Sequence, residues 1–211
     1  MARDIICQLG KMITSRVPYQ LGLKKLNEDD PEYYILDLLC SDELAAIMLK
    51  MGLRKPKTLE EIAEITGTEP KHLEEVLTDA AKKGVVEYNW DNPENVKKYY
   101  VQIFVPGIAE MTNMNLEQVE KYPKLASDFN RLTFLPLAGM TEMIPPGGAG
   151  AGMHVIPVEK AIPSESKSVS VEHLSHWLKK YEGQIGVGYC SCRNAARLAG
   201  NGCGELQDEL C

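Results

Sequence analysis

Apolar residues recur at helical spacing in the first fifty residues of the chain. Residues 5–13 carry five of them on one helical face, which predicts a short docking helix: Ile5, Ile6, Leu9, Met12 and Ile13. A second apolar run at 33–53 predicts one bent helix or two short ones, because Ser41-Asp42 in its middle can restart a helix. Cys7 and Cys40 lie singly on these stretches, where a cysteine is usually a small buried hydrophobe.

Residues 58–105 carry the strongest local pattern. Thr58 and Glu61 form a capping box, and Gly67 ends the helix that they begin. A second helix is expected directly after it, with Thr68 as its N-cap and Gly84 as its end. The β-rich runs VVEYNW and KKYYVQIFV flank the turn residues DNPEN, which predicts a hairpin. The apolar face of the first helix is expected to hold Leu59, Ile62, Ala63 and Ile65.

This order of helices and hairpin resembles the winged helix-turn-helix fold of transcription regulators similar to the multiple-antibiotic-resistance family. The resemblance implies DNA binding through the helix at 69–83. A helix that reads the major groove needs surplus positive charge. Here three lysines face four carboxylates: Lys71, Lys82 and Lys83 against Glu69, Glu74, Glu75 and Asp79. We therefore expect this fold to serve protein contact or scaffolding.

The remaining middle of the chain gives weaker signals. Residues 106–136 look like an irregular to helical connector, and the glycine-rich 144–152 reads as a loop. It is not expected to bind a nucleotide, because the run MHVIPV after it predicts a strand where a helix is required. The segment 168–183 predicts an amphipathic helix ending at Gly183, and QIGVGYC predicts a short strand. His173 and His176 lie on that helix and are not assigned as metal ligands.

The net charge of the chain and its expected cellular compartment disfavour some classes of function. Thirty acidic against 23 basic residues give a formal net charge of −7, which disfavours nucleic-acid binding. The first twenty residues hold no uninterrupted apolar run, so neither a signal peptide nor a membrane span is expected and the protein is placed in the cytoplasm. Thiols stay reduced there, so clustered cysteines favour a metal or redox site over a disulfide framework.

Four of the six cysteines lie in the last tenth of the chain, with the spacing C-x-C-x10-C-x7-C: Cys190, Cys192, Cys203 and Cys211. Four thiolates can bind one zinc ion or an iron–sulfur cluster. A C-x-C start is unlike the C-x2-C knuckle of zinc sites, which favours iron–sulfur and leaves zinc open. The flanking Gly200, Gly202 and Gly204 would let backbone amides approach sulfide. Arg193 would either offset the cluster's charge or make a surface ion pair.

The segments VIPVEKAIP and IGVGYCSCR, separated by a helix and followed by two further cysteines, resemble the N-terminal region of anaerobic iron–sulfur oxidoreductases. The resemblance covers most of residues 30–211 and is most specific at CSCR. It implies a [4Fe–4S] cluster on the four C-terminal cysteines, and electron transfer with a ferredoxin or flavoprotein partner. No ferredoxin run C-x2-C-x2-C-x3-C is present, so the chain is expected to be a fragment or a stand-alone subunit.

The expected fold class is α+β, a mainly helical winged helix-turn-helix domain followed by a small α/β cysteine-cluster module. The boundaries are 1–28 for the docking helix, 29–112 for the winged helix, 113–150 for the connector and 151–211 for the iron–sulfur module. The chain is expected to transfer electrons without catalysing a reaction itself, and to bind no membrane. A redox- or metal-responsive transcription regulator, a zinc-stabilised scaffold and a homo-oligomer stay open as alternatives.

Overall fold

The computed structural model describes residues 2–129, 131, 174–186, 188–200, 202 and 204. They divide between two compact units, one within Met1–Leu135 and Tyr189–Cys211 and the other within Pro136–Gly188. The described residues are mainly helical and include one two-stranded sheet. In this part of the chain, no helix combines the length and the apolar character that crossing a membrane requires.

The first unit begins with four helices: α1 Asp4–Ile13, α2 Val17–Gln20, α3 Pro31–Leu39 and α4 Asp42–Met51. Helix α1 packs against α3 and α4, and its Ile6, Leu9 and Ile13 are fully buried, as the apolar spacing predicts. The predicted break falls at Ser41, whose hydroxyl accepts a hydrogen bond from the Leu44 N–H at 3.1 Å. The run at 33–53 therefore forms two helices, because Ser41 caps a new one.

Two further helices follow, α5 Leu59–Thr66 and α6 Pro70–Lys82. The capping box is confirmed, since Thr58 and Glu61 exchange both hydrogen bonds. The predicted N-cap of α6 is wrong by one residue: the Glu69 carboxylate, and not Thr68, accepts the His72 N–H at 2.9 Å. Proline at the first helical position holds the residue before it in an extended conformation, so Glu69 becomes the cap.

The apolar face of α5 is narrower than predicted. Ile62 is fully buried, whereas Leu59 and Ala63 are partly buried beside it. Ile65 is 41% exposed, so its place on that face is wrong. A helix of two turns presents only a narrow stripe to its neighbours, and here that stripe is centred on Ile62.

The predicted hairpin is confirmed as β1 Glu87–Asn89 paired antiparallel with β2 Lys98–Tyr100. Single bridges join it to the segment before α5, Leu53 with Val101 and Lys57 with Tyr99. Tyr99 and Val101 are buried there, so the hairpin closes one end of the helical core.

After a turn at Phe104–Ile108, the chain forms α7 Ala109–Met114, α8 Leu116–Lys121 and α9 at 124–129. The described part of the predicted connector is thus helical, and it also contributes Ala109, Val119 and Phe129 to the core. Gly84 has a φ of +77° and lies against α7, where an added Cβ would meet the Met111 carbonyl carbon at 2.7 Å. The end of α6 and the start of α7 can approach this closely only because residue 84 is glycine.

Two helices complete the described chain, α10 Leu174–Lys180 in the second unit and α11 Ser191–Leu198 in the first. Helix α10 is followed by Gly183 with a φ of +78°, as predicted. The strand predicted for QIGVGYC is wrong for its described residues, 184–186 and 188–190, which have no strand structure. The run contains two glycines, and no described strand lies beside it to supply pairing. The glycine-rich loop at 144–152, the strand MHVIPV and His173 lie outside the described residues.

Candidate cysteine site and the helix that carries it

The N-terminus of α11 carries the two described cysteines of the predicted cluster. Cys190 is the N-cap of the helix, is 5% exposed, and its sulfur accepts the Arg193 N–H at 3.5 Å. Cys192 lies in the first turn, half-buried, as a free cysteine. Cys203 and Cys211 lie outside the described residues. The geometry of the predicted site is therefore described for Cys190 and Cys192, the two cysteines of the C-x-C motif.

Helix geometry favours negative charge at these sulfurs. The first turn of a helix has backbone N–H groups without intrahelical partners, and the helix dipole adds positive potential there. The sulfur of Cys190 already uses one of those N–H groups. A thiolate at this position would be stabilised in the same way, which is the environment that metal-binding and reactive cysteines use.

The oxidation state of Cys190 decides whether it can bind a metal. Cys190 is disulfide-bonded, and a disulfide sulfur is not a thiolate ligand. Reduction by two electrons and two protons would release the thiols. Within the described residues, no group of three or more histidine, cysteine, aspartate or glutamate side chains is placed to hold a metal ion.

The backbone conformation or a close contact favours glycine at each of the three glycine positions near Cys203. Gly200 and Gly204 have φ values of +76° and +83°, in the left-handed region that favours glycine. A Cβ on Gly202 would lie 3.3 Å from the Cα of Arg197. The backbone is therefore folded tightly after α11. Hydrogen bonding of these amides to sulfide stays a prediction, as do both alternatives for Arg193.

Helix α11 is attached to α7 through side-chain amides. Asn194 is fully buried, and its Nδ2 donates to the backbone oxygen of Asn113 at 3.1 Å. Asn113 is equally buried, and its Nδ2 donates to the Ala109 oxygen at 2.8 Å. The Oδ1 atoms of both asparagines are buried and accept no hydrogen bond from the described residues. This contact between α7 and α11 is called the amide joint below.

A second pair of amides connects α7 and α8 to the end of α6. The Gln118 Nε2 donates to the backbone oxygens of Thr112 at 3.1 Å and of Lys83 at 3.2 Å. The Asn115 Nδ2 donates to the Lys82 oxygen at 3.2 Å. Carbonyls at a helix end lack intrahelical partners, so these amides satisfy them. The cysteine helix and α6 are consequently joined through one run of polar contacts.

Sequence reasoning missed the amide joint. Asn113 and Asn194 lie 81 residues apart, so no local pattern pairs them. The one available signal is that asparagine is a poor helix former, which makes an asparagine inside a helix a candidate for a specific contact.

Cys7 and Cys40 occupy different surroundings from the pair on α11. Burial raises the pKa of Cys40 to about 12, and its side chain is 4% exposed. Burial, followed by the charge of Asp4, also raises the pKa of the half-buried Cys7. Both thiols are therefore held in the neutral form, and neither is a thiolate at neutral pH.

The exposed face of α6 is mainly acidic. Glu74, Glu75 and Asp79 line a surface groove together with Thr78 and Lys82. Lys83 pairs with Asp79 at 2.6 Å, so one of the lysines is already neutralised. This face would repel phosphate more than attract it.

No protein-family model, curated protein or solved structure matches the chain. What the site can do follows from its residues: two sulfurs at a helix N-terminus, tight glycine turns beyond the helix, and a polar contact with the body.

Proposed function

We propose that the chain is an iron–sulfur electron-transfer module of an anaerobic oxidoreductase. One [4Fe–4S] cluster would be held by Cys190, Cys192, Cys203 and Cys211. The observation that carries the proposal is the placement of Cys190 and Cys192 at the start of α11, with the Cys190 sulfur already accepting a backbone N–H. Hydrogen bonds to cluster sulfurs are among the features that set the potential of such sites.

The protein's own part in this function is to hold the cluster and to tune its reduction potential. The cluster would supply transfer of one electron, without making or breaking a bond in a substrate. The first turn of α11 would stabilise the thiolates, and the turns at Gly200 and Gly204 would bring backbone close to them. The electron would pass to or from a ferredoxin or a flavoprotein partner in the cytoplasm.

We also propose that residues 29–112 form a winged helix that contacts protein. Support comes from the order α3, α4, bridged segment, α5, α6 and hairpin, with Leu53 and Lys57 bridged to the second hairpin strand and its end. The acidic face of α6 disfavours the alternative of a DNA-binding regulator. A gel-shift series at increasing salt separates the two: specific DNA binding that weakens steeply with salt would contradict protein contact.

Metal and sulfide analysis tests the cluster. The full chain is expressed and purified without oxygen, in dithiothreitol so that Cys190 is reduced. We expect a brown protein with roughly four iron atoms and four acid-labile sulfides per chain. Cys192→Ser should lose most of the colour. Cys7→Ser is the matched control, because it removes one half-buried thiol away from α11 and should keep the full iron content.

Two outcomes would contradict the cluster. A colourless anaerobic protein with about one zinc per chain and no sulfide would leave a structural zinc scaffold. Equal loss of iron in Cys7→Ser and Cys192→Ser would move the ligand set away from α11. The disulfide adds a check, since oxidised protein should take up iron and sulfide only after reduction.

A further inference from the structure

Residues 16–25 expose three aliphatic side chains, whereas the Arg16 side chain is bound to buried carboxylates. The Arg16 guanidinium binds two buried carboxylates, with Nη2 at 2.8 Å from Asp30 Oδ1 and Nε at 2.8 Å from Glu32 Oε1. The Arg16 side chain thus points into the protein. The aliphatic side chains of the segment point outwards, and they are the most exposed large apolar residues of the described chain: Val17 at 58%, Leu21 at 68% and Leu23 at 77%.

The segment is held in this shape by its own hydrogen bonds. The Gln20 Nε2 donates to the Thr14 oxygen at 2.7 Å. The Leu23 and Lys24 N–H groups both donate to the Pro18 oxygen, at 2.9 and 3.1 Å. A segment whose backbone is held by its own hydrogen bonds is pre-organised for binding, because little backbone entropy remains to be lost. Single exposed aliphatic residues are ordinary, whereas three in one short segment make that segment a candidate interaction site.

Three lysines line a groove beside this segment. Lys11, Lys24 and Lys25 line a groove of about 410 Å³ between α1 and the segment, together with one carboxylate, that of Asp4, which accepts a hydrogen bond from Gln8. None of the three lysines makes an ion pair with a carboxylate of the described chain. In a chain with a net charge of −7, this is a local positive surface.

We propose that residues 16–25 and Lys11 form a docking surface for an acidic, partly apolar segment of a partner protein. Apolar side chains of the partner would cover Val17, Leu21 and Leu23, and its carboxylates would pair with the lysines. The inference is independent of the proposed iron–sulfur function, because it uses no cysteine of α11. Charge complementarity selects this occupant.

Two other occupants fit less well. A second copy of the chain, related by a two-fold axis, would bring the same positively charged surface to both sides of the interface. A lipid surface would meet the protruding aliphatic side chains and leave the groove beside α1 unfilled. Membrane-surface segments are amphipathic helices, and α2 in this segment has only four residues.

The test uses the full chain and a synthetic acidic peptide. The probe is a fluorescein-labelled peptide of about 16 residues, long enough for a marginal helix, with leucines at helical spacing and glutamates elsewhere. Fluorescence anisotropy should show saturable binding that weakens with salt. Leu21→Ser with Leu23→Ser, and separately Lys24→Glu with Lys25→Glu, should each weaken it by about tenfold or more. Ile65→Ser is the matched control, because it removes an exposed aliphatic side chain elsewhere and should change nothing.

Thermal unfolding of both double variants should match that of the unaltered chain, because the altered side chains are exposed. If a double variant unfolds early, Val17→Ser provides the apolar test instead. Absence of saturable binding, or binding that both double variants retain, would overturn the proposal. It would also fall if the lysine analogue of the peptide bound as well, or if the chain bound phosphatidylserine vesicles and not the peptide. A dimer that dissociates in Leu21→Ser with Leu23→Ser would assign the surface to a second copy and overturn it too.

Discussion

Two buried polar clusters stabilise different parts of the first unit, and they differ in how fully their atoms are bonded. In the charged cluster between α1 and α3, Arg16 binds both Asp30 and Glu32, and every carboxylate oxygen accepts at least one hydrogen bond. In the amide joint, Asn113 and Asn194 each keep one buried oxygen without a donor among the described residues. Both clusters are polar and buried, so burial does not distinguish them.

The difference predicts which contact opens first. A fully bonded charged cluster is costly to break, because removing one member leaves a buried charge unpaired. An unsatisfied buried acceptor already costs free energy in the folded state, so the helices around it lose less when they separate. The cysteine helix α11 should therefore detach from α7 more readily than α1 detaches from α3. A site whose attachment is weak by itself would gain most from a bound metal.

The largest effect is expected from Arg16→Met. The change leaves Asp30 and Glu32 buried without their cation, and should lower the free energy of unfolding by about 3–5 kcal/mol. Urea unfolding followed by circular dichroism measures it. The control is Arg54→Met, because the exposed Arg54 side chain bonds among the described residues only to the half-buried Gln102 side chain, and the change should cost less than about 1 kcal/mol. Equal losses in the two variants would show that the charged cluster contributes little.

A slightly smaller effect is expected from Gly84→Ala, which displaces α7 and with it Asn113. The new Cβ would lie 2.7 Å from the Met111 carbonyl carbon, and alanine is strained at a φ of +77°. We expect a loss of about 3 kcal/mol, from the strain and the backbone clash together.

The control for Gly84 is Gly67→Ala. Gly67 has nearly the same φ, +72°, and nothing lies within 4 Å of its added Cβ. Strain alone should cost about 1 kcal/mol there. The difference between the two glycine variants, measured by urea unfolding, therefore isolates the close approach of α6 and α7. A difference near zero would mean that α7 moves without cost.

The contrast between the clusters also shows what a sequence can and cannot predict. The capping box at Thr58, the end of α5 at Gly67 and the hairpin are specified by residues within a few positions of one another, so the pattern predicts them. The N-cap of α6 is Glu69 and not the predicted Thr68, because proline follows Glu69, and this too is a local effect. Local chemistry therefore accounts for most of the element order.

The clusters themselves depend on contacts between distant residues. Arg16 and Glu32 are 16 residues apart, and Asn113 and Asn194 are 81 apart. No spacing rule pairs them, because either arginine or asparagine is equally compatible with an exposed position. The cysteines of α11 were found from their spacing, whereas the surface that holds α11 required the folded structure.

Acidification should lower the free energy of unfolding by a moderate amount through the charged cluster. Burial by itself would raise the pKa of Asp30, but hydrogen bonds from the Asn27 N–H, Arg16 and Tyr19 outweigh it and hold the pKa below 3.8. The unfolded chain thus binds a proton at higher pH than the folded chain. Stability from Asp30 should be complete above about pH 5 and lost as the pH falls below 3.8 towards the folded-state pKa.

The measurement for Asp30 is urea unfolding at several pH values between neutral and acidic. Asp30→Asn should be less stable at neutral pH and should show a shallower decline on acidification. A decline of the same steepness in both proteins would place the acid sensitivity in other carboxylates.

The smallest effect on global stability is expected at the amide joint, from Asn194→Ala. The change removes one hydrogen bond, the Nδ2 contact with the Asn113 oxygen, and it also removes a buried oxygen that has no described donor. These two consequences oppose each other, so the free energy of unfolding should fall by only about 1 kcal/mol. Hydrogen exchange should nevertheless rise in α11 and stay unchanged in α1, because only the attachment of α11 is weakened. Gln8→Ala, which removes an exposed contact on α1, is the control and should leave exchange in α11 unaltered. A loss as large as that of Arg16→Met would mean that the two asparagine oxygens are bonded in solution, for example by an ordered water, and that the amide joint is as strong as the charged cluster.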